Sequence, residues 1–153
     1  MTEPRTVRFI VWGNPRGKGR GRVGVLRLPG GAARGMIFPD SKTKAEEGAV
    51  RVFAANAMAH AGIATQLEGA LELEMRAYMP IPASWSNPQK ALAVSRGRLP
   101  TGKPDLDNIM KLIKDGCNGV VYRDDAQVVR ATACKFYSLR PRVEVIISEI
   151  APG

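Results

Sequence analysis

Apolar residues recur along this chain at two periods, and the changes between them mark its elements. From Thr6 to Trp12, Val7, Phe9 and Val11 alternate with polar positions such as Arg8, which predicts a strand with one buried face. The clearest alternation runs from Leu71 to Met79. Leu71, Leu73, Met75, Ala77 and Met79 take one side, Glu72, Glu74 and Arg76 the other, and Pro80 and Pro82 end the run. Further strands are predicted over Gln127–Tyr137 and Arg142–Ile150, the latter with Val143, Val145 and Ile147 inward. Val23–Leu28 and Met36–Phe38 flank a glycine-rich stretch and predict a hairpin.

Spacings of three and four predict the helices. Thr43 opens a capping box with Glu46, and a helix to about His60 follows, with Ala45, Ala49, Val52 and Phe53 inward and Gly62 as its breaker. Ser84–Ser95 suits a short helix that Trp85 packs onto the core. Leu106, Ile109, Met110, Ile113 and Cys117 form a stripe on a third helix. Asp105 or Asp107 can cap its start, and Asn118-Gly119 suits its end. Val120, Val121 and Tyr122 then read as a short strand that delivers Asp124 and Asp125. Such irregular alternation predicts an α/β or α+β fold, with one mixed β-sheet covered by helices on one face.

Length and composition agree with a single domain over residues 1–153, since 153 residues with 44% hydrophobic content supply one core. No apolar run reaches the ~18 residues of a membrane span, and MTEPRTVRF lacks the apolar stretch of a signal peptide. A cytoplasmic protein is expected. Cys117 and Cys134 lack metal-type spacing and read as free, buried thiols. His60 is the only histidine, so a His-based zinc site or a Ser-His-Asp triad would rest on that one residue.

Charge points to the partner. Lys and Arg number 23 against 14 Asp and Glu, a net +9 that favours a polyanion, above all nucleic acid. No basic amphipathic helix stands out, which disfavours a membrane surface. In GNPRGKGRGRVG, glycines separate Arg16, Lys18, Arg20 and Arg22. Glycine lets backbone approach a phosphate closely and the cations neutralise it, although no GK[ST] makes this a P-loop. Arg96, Arg98 and Lys103, in a loop leading to the third helix, form a second candidate phosphate contact.

Against this basic background, Lys103 to Val129 gathers Asp105, Asp107, Asp115, Asp124 and Asp125. Two carboxylates ~4 Å apart repel by ~4 kcal/mol at an effective dielectric near 20, a penalty that a divalent cation removes. A helix start and a strand end bringing Asp105, Asp107 and Asp125 together would make such a site, with Asp124 as a further ligand. Oxygen ligands without histidine favour Mg²⁺, with Mn²⁺ as a substitute, over zinc. Lys111, one turn beyond Asp107, is placed to hold a carboxylate or to meet transition-state charge. Acids at a helix start also serve simply as caps, and Asp-Asp as a turn. Two other functions therefore stand beside a metal-dependent nuclease: a non-catalytic nucleic-acid-binding module, and a nucleotide-sugar enzyme holding a diphosphate through Asp105-x-Asp107.

The segment KPDLDNIMKLIKDGCNGVVYRDDAQVV resembles the signature of the RusA family of Holliday junction resolvases: a KPD-x-DN start, a lysine four residues past the second aspartate, a D-x-x-NG helix end and a DD-x-Q element. The match is dense over these residues and looser elsewhere. The resemblance implies a Mg²⁺-dependent, homodimeric, bacterial or phage-encoded endonuclease that resolves four-way DNA junctions by paired nicks in recombination and repair. It also implies Asp105, Asp107 and Asp125 as the metal-binding catalytic carboxylates and Lys111 as the catalytic lysine. A two-fold dimer would match the symmetry of such a junction.

Overall fold

Residues alternating at period two become strands here because one side of each can be buried. The computed structural model describes residues 3–19, 22–27, 29–31, 33–38 and 41–152, without the side chains of 22–27, 34 and 36–38. In chain order the elements are β1 (Thr6–Trp12), β2 (Arg22–Arg27), β3 (Ala33–Phe38), α1 (Ser41–His60), β4 (Leu71–Pro80), α2 (Asn87–Val94), α3 (Leu106–Cys117), a single 3₁₀ turn (Asp125–Gln127), β5 (Val128–Ser138) and β6 (Arg142–Glu149). The fold is α+β.

One mixed sheet has the order β1-β6-β4-β5, and β2 and β3 form the separate hairpin that the glycine-rich stretch predicts. β6 runs antiparallel to both β1 and β4, whereas β5 is parallel to β4. A parallel pair requires a crossover connection. That crossover carries α2, α3 and the Asp124-Asp125 turn, so the whole acidic segment belongs to it.

The strand alternation holds. Leu71, Leu73, Met75, Ala77 and Met79 are buried, as are Val143, Val145 and Ile147 on β6 and Val7 and Phe9 on β1. They join Val50, Ala54 and Met58 of α1 and Ile109, Ile113 and Cys117 of α3 in one hydrophobic cluster. At roughly 1.5–3 kcal/mol for each fully buried aliphatic side chain, this cluster is the main force closing α1 and α3 onto the sheet. Gly116 sets how near they come: a Cβ there would lie 2.7 Å from Val50 Cβ.

Four local expectations are corrected. Val50, Ala54 and Met58 form the inward face of α1, whereas Ala45, Ala49 and Val52 are exposed and Phe53 is half-buried. Alanine distributed around a helix leaves its apolar stripe weakly defined, so packing against Gly116 decides the rotation. Thr43 lies inside the helix and does not cap it; its hydroxyl accepts the Gly19 N–H at 2.8 Å. Residues 120–122 form a tight turn, in which Tyr122 bridges to both Leu67 and Asn118, in place of a strand. Cys134 is half-buried, in contrast to the fully buried Cys117.

The short helix α2 starts as its sequence suggests, with the Ser86 hydroxyl accepting the Gln89 N–H at 3.4 Å. Trp85 rests edge-on against Tyr137 of β5, their ring centroids 5.2 Å apart. Among the described residues, no helix is long and apolar enough to cross a membrane.

Candidate active site

The start of α3 is held from two sides. Lys135, at an inward-facing position of β5, donates to the carbonyls of Gly102 at 2.7 Å and Pro104 at 3.0 Å. From the other side comes the glycine-rich loop after β1, whose Lys18 N–H donates to the Asn108 carbonyl at 3.2 Å. A Cβ on Gly17 would stand 3.0 Å from Pro104 Cβ and 3.2 Å from Asn108 Cβ. Glycine at 17 is thus what lets this loop lie directly on the helix.

Between loop and helix is a cleft of about 480 Å³, lined by Arg16, Lys18, Lys42, Thr43, Lys103 and Asp105, among others. Its cations come from three separate parts of the chain and give it a basic wall. Asp105 occupies the N-cap position of α3 with extended backbone (φ −64°, ψ 147°), yet its carboxylate caps no helix N–H. Asp107 lies exposed on the first turn, and Lys111 one turn further on. Among the described residues, the side chains of Asp105, Asp107 and Lys111 have no hydrogen-bond or ion-pair partner. A helix cap that does not cap is a carboxylate available for another task.

The second acidic pair is divided in its roles. Asp124 caps the 3₁₀ turn: its Oδ1 accepts the Ala126 N–H at 2.9 Å, and the Gln127 side-chain oxygen accepts the N–H groups of Arg123 and Asp124, each at 3.0 Å. The Ala126 amide, and then the neighbouring Asp125 side chain, hold the Asp124 carboxyl below its ordinary value. Partial burial, then the adjacent Asp124 side chain and the charges of Asp115 and Asp124, push Asp125 upward, with Lys114 opposing. Asp124 therefore serves the turn with a lowered carboxyl, and Asp125 carries the raised one. Tyr122, fully buried, anchors this turn by donating its hydroxyl to the Lys114 carbonyl at 2.7 Å.

Asp105 and Asp107 belong to the start of α3, whereas the charges felt by Asp125 come from further along it. Lys135 ties down the helix start, whereas Asp125 feels Lys114 and Asp115 in the last turns. The 12 residues of α3 span roughly 18 Å. Among the described residues, no three His, Cys, Asp or Glu side chains stand close enough together to hold a metal ion. The chain brings Asp105 and Asp107 onto one turn and does not itself bring Asp125 to them.

The candidate phosphate contacts separate in the same way. Arg16 and Lys18 line the cleft, but Arg16 lies 3.7 Å from Glu46 and Lys18 is ion-paired with Asp115. Lys103 lines the cleft. Arg96 lies 4.0 Å over the Phe136 ring and Arg98 3.6 Å over Trp85, away from the cleft. Arg20 lies outside the described residues; Arg22 opens β2, with its side chain likewise outside them.

Three residues take positioning roles that their motifs do not reveal. Asp115 lies seven residues after Asn108 and so on the same helix face, where Lys18 reaches both. Lys135 breaks the inward alternation of β5, a signal visible in the sequence. Thr43, only 5% exposed, binds the glycine-rich loop to α1; its capping-box spacing suggested another role.

The family model described as "Endodeoxyribonuclease RusA" matches residues 13–148, from the glycine-rich loop through most of β6. The "Uncharacterized protein YqaN" of Bacillus subtilis (strain 168) is 34% identical over 147 residues, covering 95% of this chain and 97% of that protein.

Proposed function

The chain belongs to the RusA family of endodeoxyribonucleases, and on that premise we propose that it is a Mg²⁺-dependent resolvase whose catalytic carboxylates are Asp105, Asp107 and Asp125. Family membership makes it a phosphodiester hydrolase acting on branched DNA. It decides against both a non-catalytic binding module and a nucleotide-sugar enzyme. The observation that carries the site assignment is Asp105, an N-cap residue whose carboxylate is left uncommitted beside Asp107 and a cation-lined cleft.

The donor set suits a hard divalent cation in kind, being all carboxylate oxygen. In placement only Asp105 and Asp107 stand together. Joining Asp125 to them requires the 124–127 turn to draw towards the helix start, or a second subunit to supply it. When bound, such a cation supplies an activated water and charge neutralisation at the phosphodiester. The chain's own residues do the rest. Lys103 and the cations of the glycine-rich loop neutralise the strand in the cleft, Lys111 offers a positive charge one turn from Asp107, and Lys135 holds the helix start rigid. A homodimer would present two such sites for paired nicks across a four-way junction. A role in recombination and repair and a cytoplasmic, bacterial or phage-encoded setting accord with this reading.

The test uses purified protein with labelled four-way junction, duplex and single strand, in Mg²⁺ or in EDTA. Paired nicking of the junction that needs Mg²⁺ is expected. Binding without cleavage in Mg²⁺ and in Mn²⁺ would overturn it.

A further inference from the structure

The sheet face turned away from α1 and α3 carries a row of rings and guanidinium groups that the cleft does not use. In register across all four strands lie Trp12 of β1, Arg142 of β6, Tyr78 of β4 and Phe136 of β5. Arg142 lies 4.0 Å over Tyr78, Arg96 lies 4.0 Å over Phe136, and Arg140 lies 5.3 Å from the Trp12 ring centre. Tyr78 and Phe136 themselves meet at 5.7 Å. Trp12 is 49% exposed at the open end of the row. From this arrangement we propose that the outer face of the sheet binds an unpaired strand of DNA, its bases stacking on Trp12 and on the guanidinium planes of Arg142 and Arg96, which cover the buried Tyr78 and the half-buried Phe136.

The physical argument is one of shape and charge. Neighbouring strands lie ~4.8 Å apart, so the row extends roughly 14 Å, the length of about four stacked nucleotides at ~3.4 Å each. Rings and guanidinium planes are the surfaces on which unpaired bases stack without regard to sequence, and a four-stranded sheet is a known platform for this. Three arginines on or above the row face one acid, Glu144, which Arg142 contacts at 3.0 Å. The surplus of positive charge suits a phosphate backbone and disfavours a second copy of the same face.

Arg96 adds a backbone observation. It has φ 67° just after α2, a left-handed conformation that glycine adopts more readily, and in it the side chain lands on Phe136. The row also continues directly into the glycine-rich loop, because Trp12 precedes it and the Gly13 N–H donates to the Pro141 carbonyl at 3.2 Å. A strand leaving the cleft along that loop would meet Trp12 first.

The inference stands apart from the catalytic assignment, and its test is run in EDTA so that cleavage plays no part. The chain has two tryptophans, so Trp85→Phe leaves Trp12 as the sole reporter. Titration with a short oligodeoxythymidine is expected to quench Trp12 fluorescence more strongly than a matched duplex. Trp12→Ala in the otherwise natural chain is expected to weaken oligodeoxythymidine binding by about tenfold, with duplex affinity unchanged. Arg140→Gln, a substitution at an exposed position, should weaken it in the same direction. Absence of quenching together with unchanged affinity in both variants would overturn the proposal. So would a Trp12→Ala variant that binds oligodeoxythymidine normally but loses self-association in sedimentation, which would assign the face to a second copy.

Discussion

Lys18 and Asp115 form an ion pair that ties the glycine-rich loop to the last turns of α3. The contact raises the Lys18 pKa, chiefly through the hydrogen bond to Asp115 and further through nearby Glu47 and Asp125. A cation that suits a phosphate by its position is thus already engaged by a carboxylate in the free protein.

Competition between Asp115 and phosphate for Lys18 has a measurable consequence. Asp115→Asn frees Lys18 and is expected to tighten junction binding several-fold, steepening its salt dependence by about one unit of slope. Lys18→Ala should flatten the slope by about the same amount. Fluorescence anisotropy across a salt series reads both changes. Unchanged slopes would remove Lys18 from the DNA interface.

The role of Asp107 is read by separating binding from cutting. Asp107→Asn removes a carboxylate from the helix start and some repulsion towards phosphate. It should therefore bind junction as well as the natural protein and lose nicking by at least ~10²-fold. A normal cutting rate in a Mg²⁺ time course would refute the site assignment.

Packing of α3 on α1 predicts a stability effect. Gly116→Ala places a methyl group 2.7 Å from Val50 Cβ and Cγ1 and 3.1 Å from the Glu47 carbonyl oxygen. Overpacking against backbone is expected to cost about 1–3 kcal/mol. Thermal unfolding by circular dichroism should show a Tm several degrees lower.

Stability in acid should depend on Glu149. Its side chain accepts from the Arg5 backbone N–H at 2.8 Å and guanidinium at 3.1–3.2 Å, and from the Glu68 N–H at 2.8 Å. The Arg5 contacts lead in lowering its pKa from 4.5 to about 2. Because the folded value is the lower one, this stabilisation is complete above about pH 4.5 and is lost as pH falls towards 2. Glu149→Gln is expected to cost on the order of 2–3 kcal/mol at pH 7 and to flatten the fall in stability between pH 4.5 and 2. Urea midpoints measured at pH 7 and pH 3 check both statements.

Much of this molecule was legible before any fold was known. Period-two alternation located β1, β4 and β6, and the Leu106–Cys117 stripe located α3, because burial of one face imposes a local periodicity that survives in the letters. The family signature, likewise local, identified the activity. Other features were decided only by tertiary contact. Alanines around α1 left its rotation undetermined until Gly116 packed against Val50. Whether Asp105 caps its helix, whether Lys18 is paired, and which of Asp124 and Asp125 serves the turn all depend on groups distant in the chain or on exact backbone geometry. Above all, a helix start and a strand end are expected to bring Asp105, Asp107 and Asp125 to one place, but where carboxylates on different elements lie relative to one another depends on how those elements pack, which spacing along the chain leaves open. Periodicity records which side of an element is buried; only the folded chain determines where its two ends lie.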